Sequence, residues 1–116
     1  MIRSSTSATS YYYGTFYRAG VGYGVDFQTR NSIFPSTQIG TSAAVSLPVC
    51  LRVSRTGTTY RSDYTTSSTC SSGWVLLDSR TISTADIPIS ATTGMAVSSY
   101  STTGGTVTAT YSNVIA

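Results

Sequence analysis

The chain reads as an all-β domain, and three observations carry that expectation. Its 116 residues include no Lys, no Glu and no His, so every side-chain charge sits on 7 Arg or 4 Asp and the usual vocabulary of helix surfaces is missing. Ser and Thr fill about a third of the positions and are joined by 10 Gly and 9 Tyr, a mixture of β-formers and turn residues. Period-two alternation recurs between turn signals about every 8 to 12 residues, the spacing of a sandwich or barrel. The length allows a single domain spanning residues 1–116, with one core of moderate stability.

Taken in order, residues 11–18 (YYYGTFYR) form a strongly aromatic strand. Residues 19–22 turn the chain. Residues 23–30 (YGVDFQTR) then alternate, with Tyr23, Val25 and Phe27 on one face and Gly24, Asp26 and Gln28 on the other, which predicts a hairpin with an apolar inner face. Residues 31–41 contain Pro35 and Gly40 and read as a loop with a short extended piece, and the strand-like run 43–47 is interrupted by Pro48. Residues 50–55 (CLRVSR) and 58–65 (TTYRSDYT) flank Thr56-Gly57, a short turn whose glycine can take a positive φ. Pairing Arg55 with Thr58 sets Val53 opposite Tyr60, Leu51 opposite Ser62 and Arg52 opposite Arg61. One face is then apolar and one charged, with Asp63 and Asp26 needed nearby to neutralise the Arg pair. After a Ser/Thr loop containing Cys70, residues 74–83 (WVLLDSRTIS) form a further strand, and residues 85–90 carry Pro88 and read as a connection or edge segment. Residues 95–100 (MAVSSY) and 106–116 (TVTATYSNVIA) complete a set of about eight strands, Val107, Ala109 and Tyr111 sharing a face of the last. No helix is expected.

Cys50 and Cys70 make an even pair. In an oxidising compartment they form one disulfide closing a loop of about 20 residues, worth roughly 3 kcal/mol in the chain-entropy model. The alternative is two unrelated thiols. The disulfide is favoured because the hairpin brings both cysteines near one sheet end and because the composition has a secreted character. Only 9% of residues are charged, so the surface is wetted mainly by hydroxyls. The net charge of +3 comes from scattered Arg residues that never form a basic run, and no nucleic-acid partner is expected. No apolar stretch approaches the roughly 20 residues of a membrane span. Met1-Ile2-Arg3-Ser4 does not open a signal peptide, so the expectation is either a removed leader or an origin inside a longer chain.

Several short runs occur in a familiar order. They are residues 48–57 (PVCLRVSRTG), Tyr60 to Tyr64, Gly73-Trp74-Val75, residues 94–99 (GMAVSS) and residues 109–114 (ATYSNV). Together they resemble the second half of concanavalin A-like jelly-roll modules, which are related in architecture to laminin-G domains and recur in large secreted bacterial proteins. Upstream, Met1-Ile2-Arg3-Ser4-Ser5, the Tyr11 strand and residues 24–30 (GVDFQTR) look like that family's central strand and the hairpin after it. The resemblance implies an antiparallel β-sandwich of jelly-roll type, with Trp74 as a packed residue. It also implies opening strands ahead of the central one, without which sheet edges and an apolar face stand open. Three explanations fit: a longer repeat protein of which this is one part, a reduced version that folds alone, or a subunit completed by a strand from its neighbour.

An enzyme is not expected. Glycosidases on such a scaffold use paired carboxylates, usually Glu, whereas Asp26, Asp63, Asp78 and Asp86 form no tight pair, and no His is present to activate a Ser. No Asp cluster marks a calcium loop, and neither a metal nor a cofactor is expected. Sugars are gripped by aromatic platforms flanked by planar polar groups, and the candidates are Tyr11, Tyr13 and Tyr17 as exposed aromatics with Asp26, Gln28, Arg52 and Arg61 as the polar face. Against this, half of any strand's aromatics simply fill the core, and Tyr60 and Tyr111 fall on inward positions. The Ser/Thr-rich stretches 4–10, 65–72 and 98–106 offer O-glycosylation acceptors and read equally well as ordinary polar loops, while Asn31 and Asn113 lie in no N-glycosylation sequence. The expectation is an extracellular or cell-surface structural or adhesive module, a subunit or repeat of a surface filament that self-associates or occurs in tandem. The alternative is a non-catalytic carbohydrate-binding module with glycan partners.

Overall fold

A computed structural model describes residues 1–19, 24–95, 106, 108–112 and 114–115, and among these described residues alternating β-branched and aromatic side chains form eight strands. Strands β1 (Ile2–Arg3), β2 (Tyr12–Tyr17), β3 (Val25–Arg30), β4 (Gln38–Ala43) and β8 (Thr92–Thr93) form one antiparallel sheet in the order β4-β3-β2-β1-β8. Strands β5 (Cys50–Thr56), β6 (Thr59–Thr65) and β7 (Val75–Thr81) form a second sheet in sequence order. The sheets face each other, β2 lying over β5 and β6 while β3 and β4 lie over β7, so the protein is an antiparallel β-sandwich. Among the described residues there is no helix, and none long and apolar enough to cross a membrane.

The inner faces meet around Tyr13, whose ring lies 5.8 Å from Phe27 and 5.5 Å from Tyr60, with Ile2, Val25, Leu77, Ile82 and Ile87 buried around them. A polar seam crosses this core. The Tyr13 hydroxyl donates to Asp78 Oδ2 (2.8 Å), and Arg80 clamps the same carboxylate through Nε (2.7 Å) and Nη2 (2.8 Å) while its guanidinium lies 4.3 Å from the Phe27 ring centre. Each charged group entering the core thus brings its counter-charge and hydrogen bonds with it. Beside this cluster Thr15 Oγ1 donates to the Arg52 carbonyl at 2.7 Å and lies 2.7 Å from Ser62 Oγ.

The connection from β7 to β8 closes one end of the sandwich. Ile82 and Ile87 turn inward, Ile82 N donates to the Thr58 carbonyl (2.9 Å), and Arg55 Nη1 donates to the Pro88 carbonyl (2.6 Å). Toward the other end, the start of β5 is tied by a Cys50–Cys70 disulfide, with Cα atoms 5.8 Å apart, to the loop between β6 and β7.

The arrangement of strands departs from the sequence expectations in three places. The β5–β6 hairpin pairs Thr56 with Thr59 and Arg52 with Asp63, two residues away from the expected register. Gly57, at φ +60°, is the first residue of a two-residue loop, where a tight hairpin demands a positive φ, and the shift replaces an Arg opposite an Arg with an Arg opposite an Asp. A slip of two leaves both faces unchanged, because side chains alternate with period two. The short extended piece expected within 31–41 is a six-residue strand, β4, that runs on to Ala43, where Gly40 lets the Phe27 ring lie directly on the backbone. Finally, the described residues of 106–116 form no strand and are exposed, Tyr111 included at 47%, and the place beside β1 is taken by Thr92 and Thr93. Met95 lies in no strand, and the expectations for Tyr23 and for residues 96–100 fall outside the described residues.

Candidate functional site

The parity of β2 decides which aromatics can meet a ligand. Tyr13, paired with Thr29, and Tyr17, paired with Val25, turn inward, whereas Tyr12, Gly14 and Phe16 turn outward. Tyr13, expected to be exposed, is fully buried, and Tyr11 and Tyr17 are half-buried against the core. Aromatic residues occupy both parities of this strand, so alternation in the sequence does not reveal the inner side. The outward pair sits edge to face at 6.2 Å over Gly14, where a Cβ would come within 2.6 Å of the Phe16 ring. Tyr12 and Phe16 line, with Met1, Arg3, Gln28 and Arg30, a shallow groove of about 210 Å³.

The polar groups around this groove are largely engaged. Arg30 lies 5.3 Å from the Tyr12 ring centre and donates to the carbonyls of Ala8 (2.7 Å) and Ser10 (2.7 Å), which fastens the loop between β1 and β2. Arg3 donates to Ser10 Oγ at 2.8 Å, and the Tyr12 hydroxyl donates to Thr37 Oγ1 at 3.0 Å. Asp26 is buried on this same sheet, ion-paired with Arg18 and accepting from Gln28 Nε2 at 3.1 Å.

Arg52 and Arg61 lie on the opposite side of the molecule, on the outer face of the three-stranded sheet. Between them sits the Asp63 carboxylate, 1% exposed, receiving Arg61 Nη2 at 2.9 Å and Arg52 Nη2 at 3.3 Å. The bond to Asp63 raises the pKa of Arg61 above its ordinary value. The Arg52 guanidinium also covers the half-buried Trp74 ring, 4.1 Å from its centre. The seven candidate residues therefore do not converge: Asp26 and Gln28 belong to one outer face, Arg52 and Arg61 to the other, and the three tyrosines to the inner side of β2 or its approach.

No family model, curated protein or solved structure matches this chain. The carboxylates do not gather, since the partly buried Asp78 is held by Arg80 and Tyr13 beside the core and Asp86 accepts from Ser32 Oγ at 2.7 Å in the β7–β8 connection. Among the described residues no three His, Cys, Asp or Glu side chains are placed to hold a metal ion.

What the sequence did not single out is the open end of the sandwich. The register brings Leu51, Tyr64 and Val75 side by side, in line with the fully buried Tyr60 and Ser62 of β6, yet Leu51 is 37% and Val75 47% exposed. The signal available was their alternation with inward residues, which marks a face but not how far the opposite sheet reaches.

Proposed function

We propose that the chain is a non-catalytic structural or adhesive module of the extracellular space or cell surface, one of a set of like modules that join through an incompletely covered sandwich. The observation that carries this reading is the row Leu51, Tyr64 and Val75, apolar and on the inner face but not covered at its two ends. Apolar surface held in water costs about 25 cal/mol per Å², and a neighbouring copy that covers the row removes that cost. The Cys50–Cys70 link suits an oxidising compartment. A surface rich in hydroxyls and poor in charge also lets modules pack without desolvating many ions. Kinship with concanavalin A-like jelly rolls belongs to this proposal, since those modules occur in tandem in secreted proteins. Light scattering and electron microscopy of native material test it. Regular multi-subunit filaments are expected, and a compact monomer of 12.2 kDa at every concentration overturns the reading.

A second reading, a non-catalytic carbohydrate-binding module, is favoured by the outward Tyr12–Phe16 pair and the groove it lines. A glycan screen tests it: binding that is lost in Tyr12→Ala and kept in Arg61→Ala, on the opposite face, supports it, and no binding to any glycan removes it.

A further inference from the structure

We infer that Arg3 and Arg30 form a site for an acidic group, and that the ligand it takes is an acidic saccharide, one bearing carboxylate or sulfate. The inference rests on the carbohydrate-binding reading above and names the class of sugar. Four of the seven Arg are ion-paired with Asp26, Asp63 or Asp78, which leaves Arg3, Arg30 and Arg55 without a carboxylate among the described residues. Two of these three lie together. Arg3 pairs with Tyr12 across β1 and β2, and Tyr12 with Arg30 across β2 and β3. Both Arg side chains therefore leave the outer face at one level, from Cα atoms two strand spacings, or about 9.5 Å, apart. They then converge on one buried residue. Arg3 donates to Ser10 Oγ through Nε (3.0 Å) and Nη2 (2.8 Å), and Arg30 donates to the Ser10 carbonyl through Nε (3.1 Å) and Nη2 (2.7 Å).

This arrangement is out of balance. Neutral oxygens hold the two guanidiniums in place but cancel neither charge, so two cations are fixed side by side at a cost that a bound anion removes. Asp86, joined to the loop just beyond β3, accepts from Ser32 N and Oγ and makes no ion pair with either Arg. The Nη1 group of each guanidinium makes no hydrogen bond among the described residues, and both side chains are partly exposed. An anion that reaches them meets donors already oriented by their bonds to the loop, which lowers the entropy lost on binding.

The surroundings of the pair select the molecule that carries the anion. The Tyr12 ring, 5.3 Å from the Arg30 guanidinium, lines with Phe16 and Gln28 the shallow groove of about 210 Å³. Aromatic faces and a planar amide suit the C–H faces and hydroxyls of a sugar. The uncompensated charge ends with this pair, because Arg55 is held at the β7–β8 connection by the Ile87 and Pro88 carbonyls. No basic track follows a phosphate backbone. An isolated oxyanion on a polyhydroxyl chain matches both the charge and the groove.

The test is titration of the full, disulfide-bonded chain with uronate and sulfated oligosaccharides, each beside a neutral counterpart made by reducing its carboxyls or removing its sulfates. At least one acidic oligosaccharide is expected to bind and to lose at least about tenfold in affinity when neutralised, the effect of one charge-assisted hydrogen bond. That comparison changes only the ligand, so it is independent of how any variant folds. Arg3→Gln and Arg30→Gln are each expected to lose as much, while Arg61→Gln, on the opposite face, keeps the wild-type affinity. Equal binding of acidic and neutral forms, or acidic binding that survives both substitutions, overturns the anion site while leaving a carbohydrate-binding module standing. A single-stranded oligonucleotide that binds as tightly as the best saccharide overturns the assignment of the ligand as a sugar. No binding to any glycan overturns both the site and the reading on which it rests.

Discussion

Tyr13 joins the two sheets through a single hydroxyl, and its titration is coupled to folding. Burial first, then the hydrogen bond to Asp78, hold its pKa well above the ordinary 10.0, and burial likewise raises Tyr60. In the unfolded chain both phenols ionise near pH 10. The folded state therefore keeps protons that the unfolded state releases, and the stability these tyrosines contribute is present below about pH 10 and lost as pH rises beyond it. The melting temperature is expected to fall steeply above that point, and less steeply in Tyr13→Phe. That variant also loses the bond to Asp78 and is expected to cost about 1–2 kcal/mol in denaturant unfolding at neutral pH, because Arg80 still satisfies the carboxylate. Tyr60 predicts the opposite. Among the described residues its buried hydroxyl has no hydrogen-bond partner, so Tyr60→Phe is expected to be neutral or stabilising by up to about 1 kcal/mol.

At the scale of single elements, β4 depends on one missing side chain. A Cβ at Gly40 would overlap the Phe27 ring, so Gly40→Ala is expected to cost about 1–3 kcal/mol, read from the midpoint of urea unfolding at unchanged slope. Reducing the Cys50–Cys70 link is expected to cost roughly 3 kcal/mol, measured in the same way. These elements also show what was legible in the sequence. Strands β2, β3, β5, β6 and β7 lie where alternation and turn residues place them, and the absence of helix among the described residues follows from composition. The β5–β6 register was not legible, since the run Thr56-Gly57-Thr58-Thr59 accommodates two loops and the choice depends on which gives Arg52 an acidic neighbour. Strand β4 was legible only as a short extended piece, because Pro35, Gly40 and the surrounding hydroxyl residues read as loop. Its existence rests on contact with Phe27, a distant residue. The aromatic groove was missed for a related reason, as Tyr and Phe on both faces of β2 leave its inner side to be fixed by pairing with Val25 and Thr29.

Across the whole molecule, a small sandwich leaves part of one inner face uncovered while its few charges are spent internally. Asp26, Asp63 and Asp78 each hold at least one Arg, and the remaining guanidiniums bind main-chain oxygens, Arg3 on Ser7, Arg30 on Ser10 and Arg55 on Pro88. Six of the seven Arg lie within strands, and Arg18, which follows β2, is paired with buried Asp26. With no Lys in the sequence, those seven residues are the only places where trypsin, whose pocket takes Arg or Lys, can cut. To enter that pocket an arginine must leave its partner, and for six of them the surrounding strand must leave its sheet. The folded chain is therefore expected to stay intact in trypsin, with digestion proceeding through the opened state. Its digestion rate then becomes a gauge of unfolding, rising when the disulfide is reduced and falling when neighbouring copies hold the sheets closed.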